Sequence, residues 1–112
     1  MNEVIRALIE RRSVRSYRPE KIKEEELAAI LNAGLYAPSG MNRQPVVTVA
    51  VEDKAVRDTL SKMNAAVMGT DGDPFYGAPV VVVVLADVSK SGTALEDGCL
   101  VMPGQSFAVL RD

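Results

Sequence analysis

The chain has 112 residues, of which 47% are hydrophobic and 25% are charged, and its formal net charge is -2. This length and composition are typical of one globular domain or part of one, and they exclude a disordered chain. One Cys and no His exclude a Cys/His zinc site, a Ser-His-Asp triad and an internal disulfide.

Charge is distributed unevenly along the chain. Up to Lys23 there are seven Arg and Lys residues against three Glu, whereas the remainder holds twelve acidic and six basic residues. A basic segment next to an acidic remainder predicts that the chain binds an anion locally. A nucleic-acid-binding domain is the weaker interpretation, because such a domain is usually basic throughout and the aromatic content here is only 4%. The longest apolar run, residues 78–86, is too short for a membrane span, and we expect a cytoplasmic location without membrane or nucleic-acid partners.

The first four predicted elements alternate between helix and loop. Apolar residues at helical spacing predict a helix from Asn2 to about Arg11, and the polar segment that ends at Pro19 predicts an extended loop. Three glutamates at residues 24–26 open a second helix that should end by Ala37. A second polar loop, residues 38–45, lies between two prolines.

The next two elements are a strand and a helix. The β-branched run at residues 46–51 predicts a strand buried on both faces. Asp53 is the predicted N-cap of a third helix that reaches about Ala66. The apolar positions that predict this helix are Val56, Leu60, Met63 and Val67.

The last part of the chain predicts one more strand and one more helix. The valine run at residues 80–85 predicts a central strand, and the capping-box spacing of Thr93 and Glu96 predicts a helix that begins near Ala94. Pro103 should end this helix early. Two strands separated by a helix favour the α+β or α/β class, but two strands are few for a sheet, so further strands must come from unassigned segments, a partner chain or residues that the chain lacks.

Two loops carry the candidate binding residues. Guanidinium groups and a hydroxyl form a phosphate-binding set in the first loop, although arginines at a helix C-terminus can also simply complement its dipole. The second loop offers hydroxyl, amide and backbone groups, and a turn without a ligand is the alternative interpretation. The residues are Arg11, Arg12, Ser13 and Arg15 in the first loop, and Pro38, Ser39, Gly40, Asn42 and Gln44 in the second.

Together the two loops resemble the flavin-dependent nitroreductase family. Its members have an R-R-S-x-R-x-[FY] segment between two helices and then an A-P-S-x-x-N-x-Q-P loop, which residues 11–17 and 37–45 match. Residues 73–79 before the valine strand and residues 95–98 at the start of the next helix are similar to the family in order and spacing. The resemblance covers about residues 3–102.

This resemblance implies an α+β fold with a central sheet flanked by helices. It also implies a homodimer with FMN at the subunit interface. Such a protein passes two electrons from NADH or NADPH through FMN to nitroaromatics, quinones or similar acceptors by a ping-pong mechanism. The flavin carries this chemistry, so the resemblance assigns no catalytic side chain and no metal, and the absence of His does not exclude an enzyme.

The resemblance also assigns roles to individual residues. Residues that would contact the FMN phosphate, ribityl chain and pyrimidine edge are Arg11, Arg12, Ser13 and Arg15. Residues that would approach the same flavin from the partner subunit are Pro38, Ser39, Gly40 and Asn42, with Gln44 beside them. Asn64 lies where some members contact the flavin ring, or it is a helix-surface residue. Phe75 and Tyr76 line the substrate side or are packing groups.

The end of the chain departs from the family pattern. Residues 1–102 are interpreted as a partial nitroreductase-like domain and residues 103–112 as an atypical C-terminal tail. By this interpretation the C-terminal part of the usual fold is missing. The competing hypothesis is therefore a truncated, non-catalytic relative that binds flavin or dimerises.

Overall fold

A computed structural model describes the backbone of residues 2–111 and the side chains of residues 2–102. Its elements in chain order are α1 (Glu3–Glu10), α2 (Glu24–Leu35), a 3-10 turn (Gly40–Asn42), β1 (Val46–Val51), α3 (Lys54–Met68), β2 (Val81–Ala86) and α4 (Ala94–Arg111). This mixture of helices and a small sheet confirms the predicted α+β class. Within residues 2–111, no helix is both long and apolar enough to cross a membrane.

The first two helices begin where the sequence predicts. The Asn2 side chain accepts a hydrogen bond from the backbone N–H of Ile5 at 2.9 Å, which caps α1. At the start of α2, the Glu26 carboxylate accepts from the backbone N–H of Lys23 at 3.0 Å. The acidic side chains in this first turn also lie at the positive end of the helix dipole, so local electrostatics favour α2 at this position.

The two strands pair in an antiparallel sheet, because the backbone N–H that follows β2, at Asp87, donates to the carbonyl of Pro45 before β1 at 2.9 Å. One face packs on α4, where a Cβ at Gly98 would lie 3.6 Å from Ala86. On the opposite face, Val47 and Leu85 are exposed. The expectation that β1 is buried on both faces is therefore wrong, since among the described residues this face of β1 stays exposed. The expectation of a central β2 is also wrong for the described residues, because each strand of a two-stranded sheet is an edge.

The chain divides into two compact units. The first unit comprises residues 1–12, 23–49 and 84–112. In it, α2 packs on α4, and the buried core side chains are Leu27, Ala94 and Val101. Helix α1 contacts α4 but buries none of its own residues. Its apolar stripe is 44–69% exposed at Val4, Ile5, Leu8 and Ile9.

The second unit comprises residues 13–22 and 50–83 and contains α3. Asp53 caps this helix as predicted, since its side chain accepts from the N–H of Val56 at 3.1 Å. The apolar positions that predict the helix do not form its buried face, because Val56, Met63 and Val67 are 51–88% exposed. The buried residues of α3 are instead Arg57, Ser61 and Ala65.

A polar cluster explains why α3 buries an arginine and a serine. The Asp73 carboxylate accepts hydrogen bonds from Arg57, from the Ser61 hydroxyl at 2.8 Å, and from the backbone N–H groups of Phe75 and Gly77 at 3.0 and 2.8 Å. Partial burial raises the pKa of Asp73, but these bonds outweigh it and hold that pKa well below its ordinary range. We call Asp73, Arg57 and Ser61 the Asp73 cluster; it ties the segment after α3 to the helix.

Helix α4 continues past the proline that should end it. The backbone is helical from Ala94 to Arg111, so the expected stop at Pro103 is wrong. Proline has no N–H for the carbonyl of Cys99, four residues earlier, but this removes only one hydrogen bond of the helix. An 18-residue helix retains helical turns on both sides of that position.

Candidate functional site

Residues 38–45 form a tight loop between α2 and β1, which we call the 38–45 loop. The Asn42 N–H donates to the Ser39 carbonyl at 3.0 Å, and the Arg43 N–H donates to the Gly40 carbonyl at 3.2 Å. The Ser39 hydroxyl oxygen accepts from the N–H of Gln44 at 3.1 Å. The loop therefore has an internal hydrogen-bond network that defines its conformation.

The 38–45 loop holds three non-glycine residues in the left-handed region. Met41, Asn42 and Gln44 have φ values of 52°, 54° and 49°. Side chains make this region unfavourable, so such a conformation persists only where surrounding contacts maintain it. The Met41 and Asn42 side chains are both exposed. The loop thus directs polar and apolar groups outward from a fixed backbone, as binding loops commonly do.

The predicted residues of this loop offer different groups to a ligand. Because the Ser39 hydroxyl accepts from Gln44, its own proton remains available for donation. The exposed Asn42 amide can both donate and accept. Gly40 has no free N–H, since this group donates to the Asp97 carboxylate at 3.2 Å. Pro38, Ser39 and Asp97 line a cleft of about 520 Å³ between the loop, α2 and α4.

Asp97 is the residue of this region that the sequence interpretation missed. It is 3% exposed, and its second carboxylate oxygen accepts from the Thr93 hydroxyl at 3.1 Å. The predicted capping box between Thr93 and Glu96 does not form, because the Thr93 N–H donates to the Ser91 hydroxyl at 3.2 Å instead. The sequence does show that Asp97 is an acidic residue in the first turn of a predicted helix. It does not show that Asp97 binds Gly40.

The arginines that follow α1 are exposed. Arg11 is the C-cap of α1, and Arg12 donates to the backbone carbonyls of Ile9 and Arg11 at 3.2 and 2.9 Å. Arg12 therefore complements the dipole at the C-terminus of α1, which was the alternative interpretation of these arginines. Its guanidinium group also has N–H donors that these two bonds do not use. Among the described residues, no hydrogen bond joins either arginine to the 38–45 loop.

The remaining candidates lie in the second unit. Residues 13–18 have no helix or strand, which confirms the predicted extended loop, and Ser13 and Arg15 are exposed there. Asn64 is an exposed residue of α3. Arg11, Arg12 and the 38–45 loop belong to the first unit, so the predicted binding residues divide between the two units. Within the described side chains, no group of three acidic or Cys residues could hold a metal ion.

Phe75 and Tyr76 differ in their surroundings. The Arg57 guanidinium carbon lies 5.6 Å from the centre of the Phe75 ring, which is cation–π geometry and supports a packing role for Phe75. Tyr76 is exposed and has a left-handed backbone with a φ of 54°. Its position next to Gly77, whose N–H donates to Asp73, keeps this backbone close to the Asp73 cluster.

Comparison with known proteins gives a consistent result. A family model described as the nitroreductase family matches residues 8–75, which is more than half of the chain. The chain is 38% identical over 98 residues to a Bacillus subtilis protein named "FMN reductase (NAD(P)H)", covering 87% of this chain and 37% of the relative. It is 37% identical over 91 residues to a putative NADH dehydrogenase/NAD(P)H nitroreductase of Archaeoglobus fulgidus, covering 81% of this chain and 49% of that protein.

Solved structures agree with the sequence comparison. A crystal structure of a nitroreductase with bound FMN from Bacteroides fragilis matches with a TM-score of 0.86 and 28% identity, covering 99% of this chain and 66% of that chain. A nitroreductase with bound FMN from Desulfitobacterium hafniense matches with a TM-score of 0.86 and 31% identity, covering 97% of this chain and 65% of that chain. The chain thus spans less than half the length of the two relatives matched by sequence and about two thirds of these two structures.

Proposed function

The chain belongs to the nitroreductase family, and on that premise we propose that it is an FMN-dependent oxidoreductase. It passes two electrons from NADH or NADPH through FMN to a nitroaromatic, quinone or similar small acceptor, in a ping-pong sequence and in the cytoplasm. The names of its relatives, FMN reductase and NAD(P)H nitroreductase, support this proposal. The observation that carries it is the 38–45 loop, whose fixed backbone leaves the Ser39 proton and the Asn42 amide available to a ligand.

The donor groups present are chemically suited to FMN. Arg11 and Arg15 are exposed, and no described ion pair involves either of them. Guanidinium groups bind phosphate oxygens through paired N–H donors, and the Ser13 hydroxyl adds a compact donor beside them in sequence. These residues hold the phosphate and the polar side of the cofactor, while Arg12 offers the donors that it does not use on the α1 carbonyls.

FMN, when bound, supplies the hydride-accepting and hydride-donating chemistry, so the protein needs no catalytic acid, base or nucleophile of its own. The residues of this chain bind and orient the cofactor. Ser39 and Asn42 contribute polar contacts, Gly40 keeps the loop close to α4, and Pro38 lines the adjacent cleft. Asn64 contributes a polar contact to the ring, and residues 1–102 form the domain that carries all these groups.

A homodimer is part of this proposal. Helix α1 is amphipathic and yet buries no residue of its own, which leaves the stripe formed by Val4, Ile5, Leu8 and Ile9 exposed. A contiguous apolar stripe of this kind marks an interaction surface. We assign it to the second subunit, which then brings its own 38–45 loop to the flavin. Replacement of Leu8 by Asp should shift the protein to monomers in sedimentation velocity, and an unchanged dimer would contradict this assignment.

The activity is tested with the purified protein. We expect FMN to bind and to show its flavin absorption band, and NADH or NADPH to bleach that band without oxygen. An added quinone should then restore the colour. Bound FMN without bleaching would overturn the enzyme proposal in favour of a non-catalytic flavin-binding protein, and a protein that cannot be loaded with FMN would overturn both.

The phosphate assignment is tested by a double variant, Arg11→Ala with Arg15→Ala. Charge-assisted hydrogen bonds contribute about 1.5–3 kcal/mol each, so the dissociation constant for FMN should rise at least about a hundredfold in a fluorescence titration. The matched control is Arg6→Ala with Arg18→Ala, which removes the same charge from exposed arginines outside the proposed site. Equal losses of affinity in both double variants would show a non-specific charge effect and contradict the assignment.

A further inference from the structure

Asp97 is a buried acidic residue whose carboxylate joins the 38–45 loop to α4. We propose that Asp97 is a positioning residue that holds this loop in the conformation that binds the flavin. The inference rests on the proposed function, which assigns Ser39 and Asn42 to the flavin. Asp97 itself touches neither cofactor nor substrate in this proposal, because both of its oxygens are used within the protein.

The geometry of Asp97 suits an anchor between two elements. Its Oδ1 accepts from the backbone N–H of Gly40 at 3.2 Å, and its Oδ2 accepts from the Thr93 hydroxyl at 3.1 Å. Because Thr93 donates its single hydroxyl proton to Asp97, the Ser91 hydroxyl is the donor of the 3.1 Å bond between Ser91 and Thr93. This chain of hydroxyls orients the carboxylate, whose other oxygen is then directed at the loop.

The loop approaches α4 so closely that position 40 requires glycine. A Cβ at Gly40 would lie 2.2 Å from the Thr93 Oγ1 and 3.2 Å from its Cβ. Non-bonded atoms do not approach to 2.2 Å, so any larger residue would displace the loop from the helix. The hydrogen bond from Gly40 to Asp97 and the contact with Thr93 therefore fix the same point of the loop.

The strained part of the loop begins immediately after this anchor. Met41 and Asn42 both have left-handed backbones, and Gln44 follows with a third. The bonds within the loop determine its local shape, but Asp97 is a buried side chain outside the loop that binds it. Among the described side chains, the other hydrogen bond to the loop from outside comes from Lys90, which is exposed and whose Nζ lies 3.4 Å from the Gln44 carbonyl oxygen. Burial makes the Asp97 bond the stronger of the two anchors.

The consequence of losing Asp97 follows from the cost of the left-handed conformation. Without this carboxylate, the Gly40 N–H has no buried acceptor and the loop relaxes toward ordinary backbone conformations. Ser39 and Asn42 then leave the positions that the flavin requires. Binding must restore the loop conformation, so the affinity for FMN falls even though no residue that contacts FMN has changed.

The test compares Asp97→Ala, Asp97→Asn and Lys90→Ala. The asparagine amide oxygen can still accept from Gly40, and its NH₂ can donate to the Thr93 hydroxyl, so this variant preserves the anchor. We expect the dissociation constant for FMN to rise about 10- to 100-fold in Asp97→Ala and to stay within about threefold of the wild type in Asp97→Asn and Lys90→Ala. Equal affinities of Asp97→Ala and the wild type would overturn the proposal.

A measurement that needs no FMN separates positioning from general stability. Hydrogen exchange of the apo protein should show a protected Gly40 amide in the wild type and in Asp97→Asn. The same amide should exchange much faster in Asp97→Ala, while the Val49 amide in β1 keeps its protection. Equal loss of protection at Gly40 and Val49 would indicate global destabilisation and overturn the positioning role.

The two proposals fail in different ways. If the wild type itself does not bind FMN, the proposed function fails. If the wild type binds FMN but Asp97→Ala binds it equally well, only the role of Asp97 fails. Should Asp97→Ala not fold, Asp97→Ser replaces it, because the serine hydroxyl is too short to reach Gly40 and the same two outcomes are measured.

Discussion

Removal of the Asp73 carboxylate, which binds two side chains of α3, should destabilise the protein far more than removal of an exposed charged side chain within α3. Asp73 binds Arg57, Ser61 and the N–H groups of Phe75 and Gly77. Asp73→Ala leaves the buried Arg57 guanidinium with its bond to the Ala78 carbonyl, at 2.8 Å, and its weaker contact with Asp58.

The magnitude follows from the burial of the groups that lose a partner. Removal of one partner of a fully buried ion pair lowers the free energy of unfolding by about 3–5 kcal/mol, and an ordinary hydrogen bond contributes about 1 kcal/mol to it. The Asp73 side chain is one-third exposed and water can replace it at the backbone N–H groups, so we expect a loss of about 2–4 kcal/mol.

Lys54, an exposed residue of α3, provides the matched control. Its Nζ lies 2.7 Å from the Asp58 carboxylate, but its side chain is 88% exposed. Exposed ion pairs at this i,i+4 spacing contribute about 0.5 kcal/mol or less, so Lys54→Ala should change the free energy of unfolding by no more than that.

Urea unfolding, followed by circular dichroism, measures both variants. A double-mutant cycle of Asp73→Ala with Arg57→Ala should give a coupling energy of about 1–3 kcal/mol. Equal losses of unfolding free energy in Asp73→Ala and Lys54→Ala, within about 0.5 kcal/mol, would show that burial does not determine the strength of these ion pairs.

Three further predictions concern pH, close packing and helix continuity. The pKa of Asp73 in the folded protein lies below its ordinary value near 3.8, so the stability that Asp73 contributes is present above that pH and is lost as the pH falls below it. The wild type should therefore lose more unfolding free energy than Asp73→Ala between about pH 5 and pH 2. Parallel urea titrations of both proteins measure this difference. Gly40→Ala should cost about 1–3 kcal/mol because of its contact with Thr93, and adding Thr93→Ala should recover much of that cost; additive losses would contradict the close approach. Pro103→Ala supplies an N–H to the Cys99 carbonyl and should stabilise α4 by up to about 3 kcal/mol, whereas an unchanged unfolding free energy would argue against a continuous helix.

The sequence was sufficient to predict the secondary-structure elements and their order along the chain. Within residues 2–111, hydrophobic periodicity, capping spacing and β-branched runs predicted the four helices and two strands, with β1 matched residue for residue and Asp53 confirmed as an N-cap. These predictions succeed because hydrophobic spacing and helix caps are local, and the groups that decide them lie within a few residues of one another. The motifs of the two loops also indicated the family to which the chain belongs.

The tertiary structure alone decided which faces are buried and what holds the candidate loop. Helix α3 buries Arg57 and Ser61 because Asp73, more than ten residues later in the chain, supplies the hydrogen bonds that make their burial possible. In the same way, the partner of Asp97 is Gly40, 57 residues earlier. Residue spacing shows which side chains share a face, but a polar residue can be buried only where folding brings a partner to it, and that partner is not fixed by local sequence.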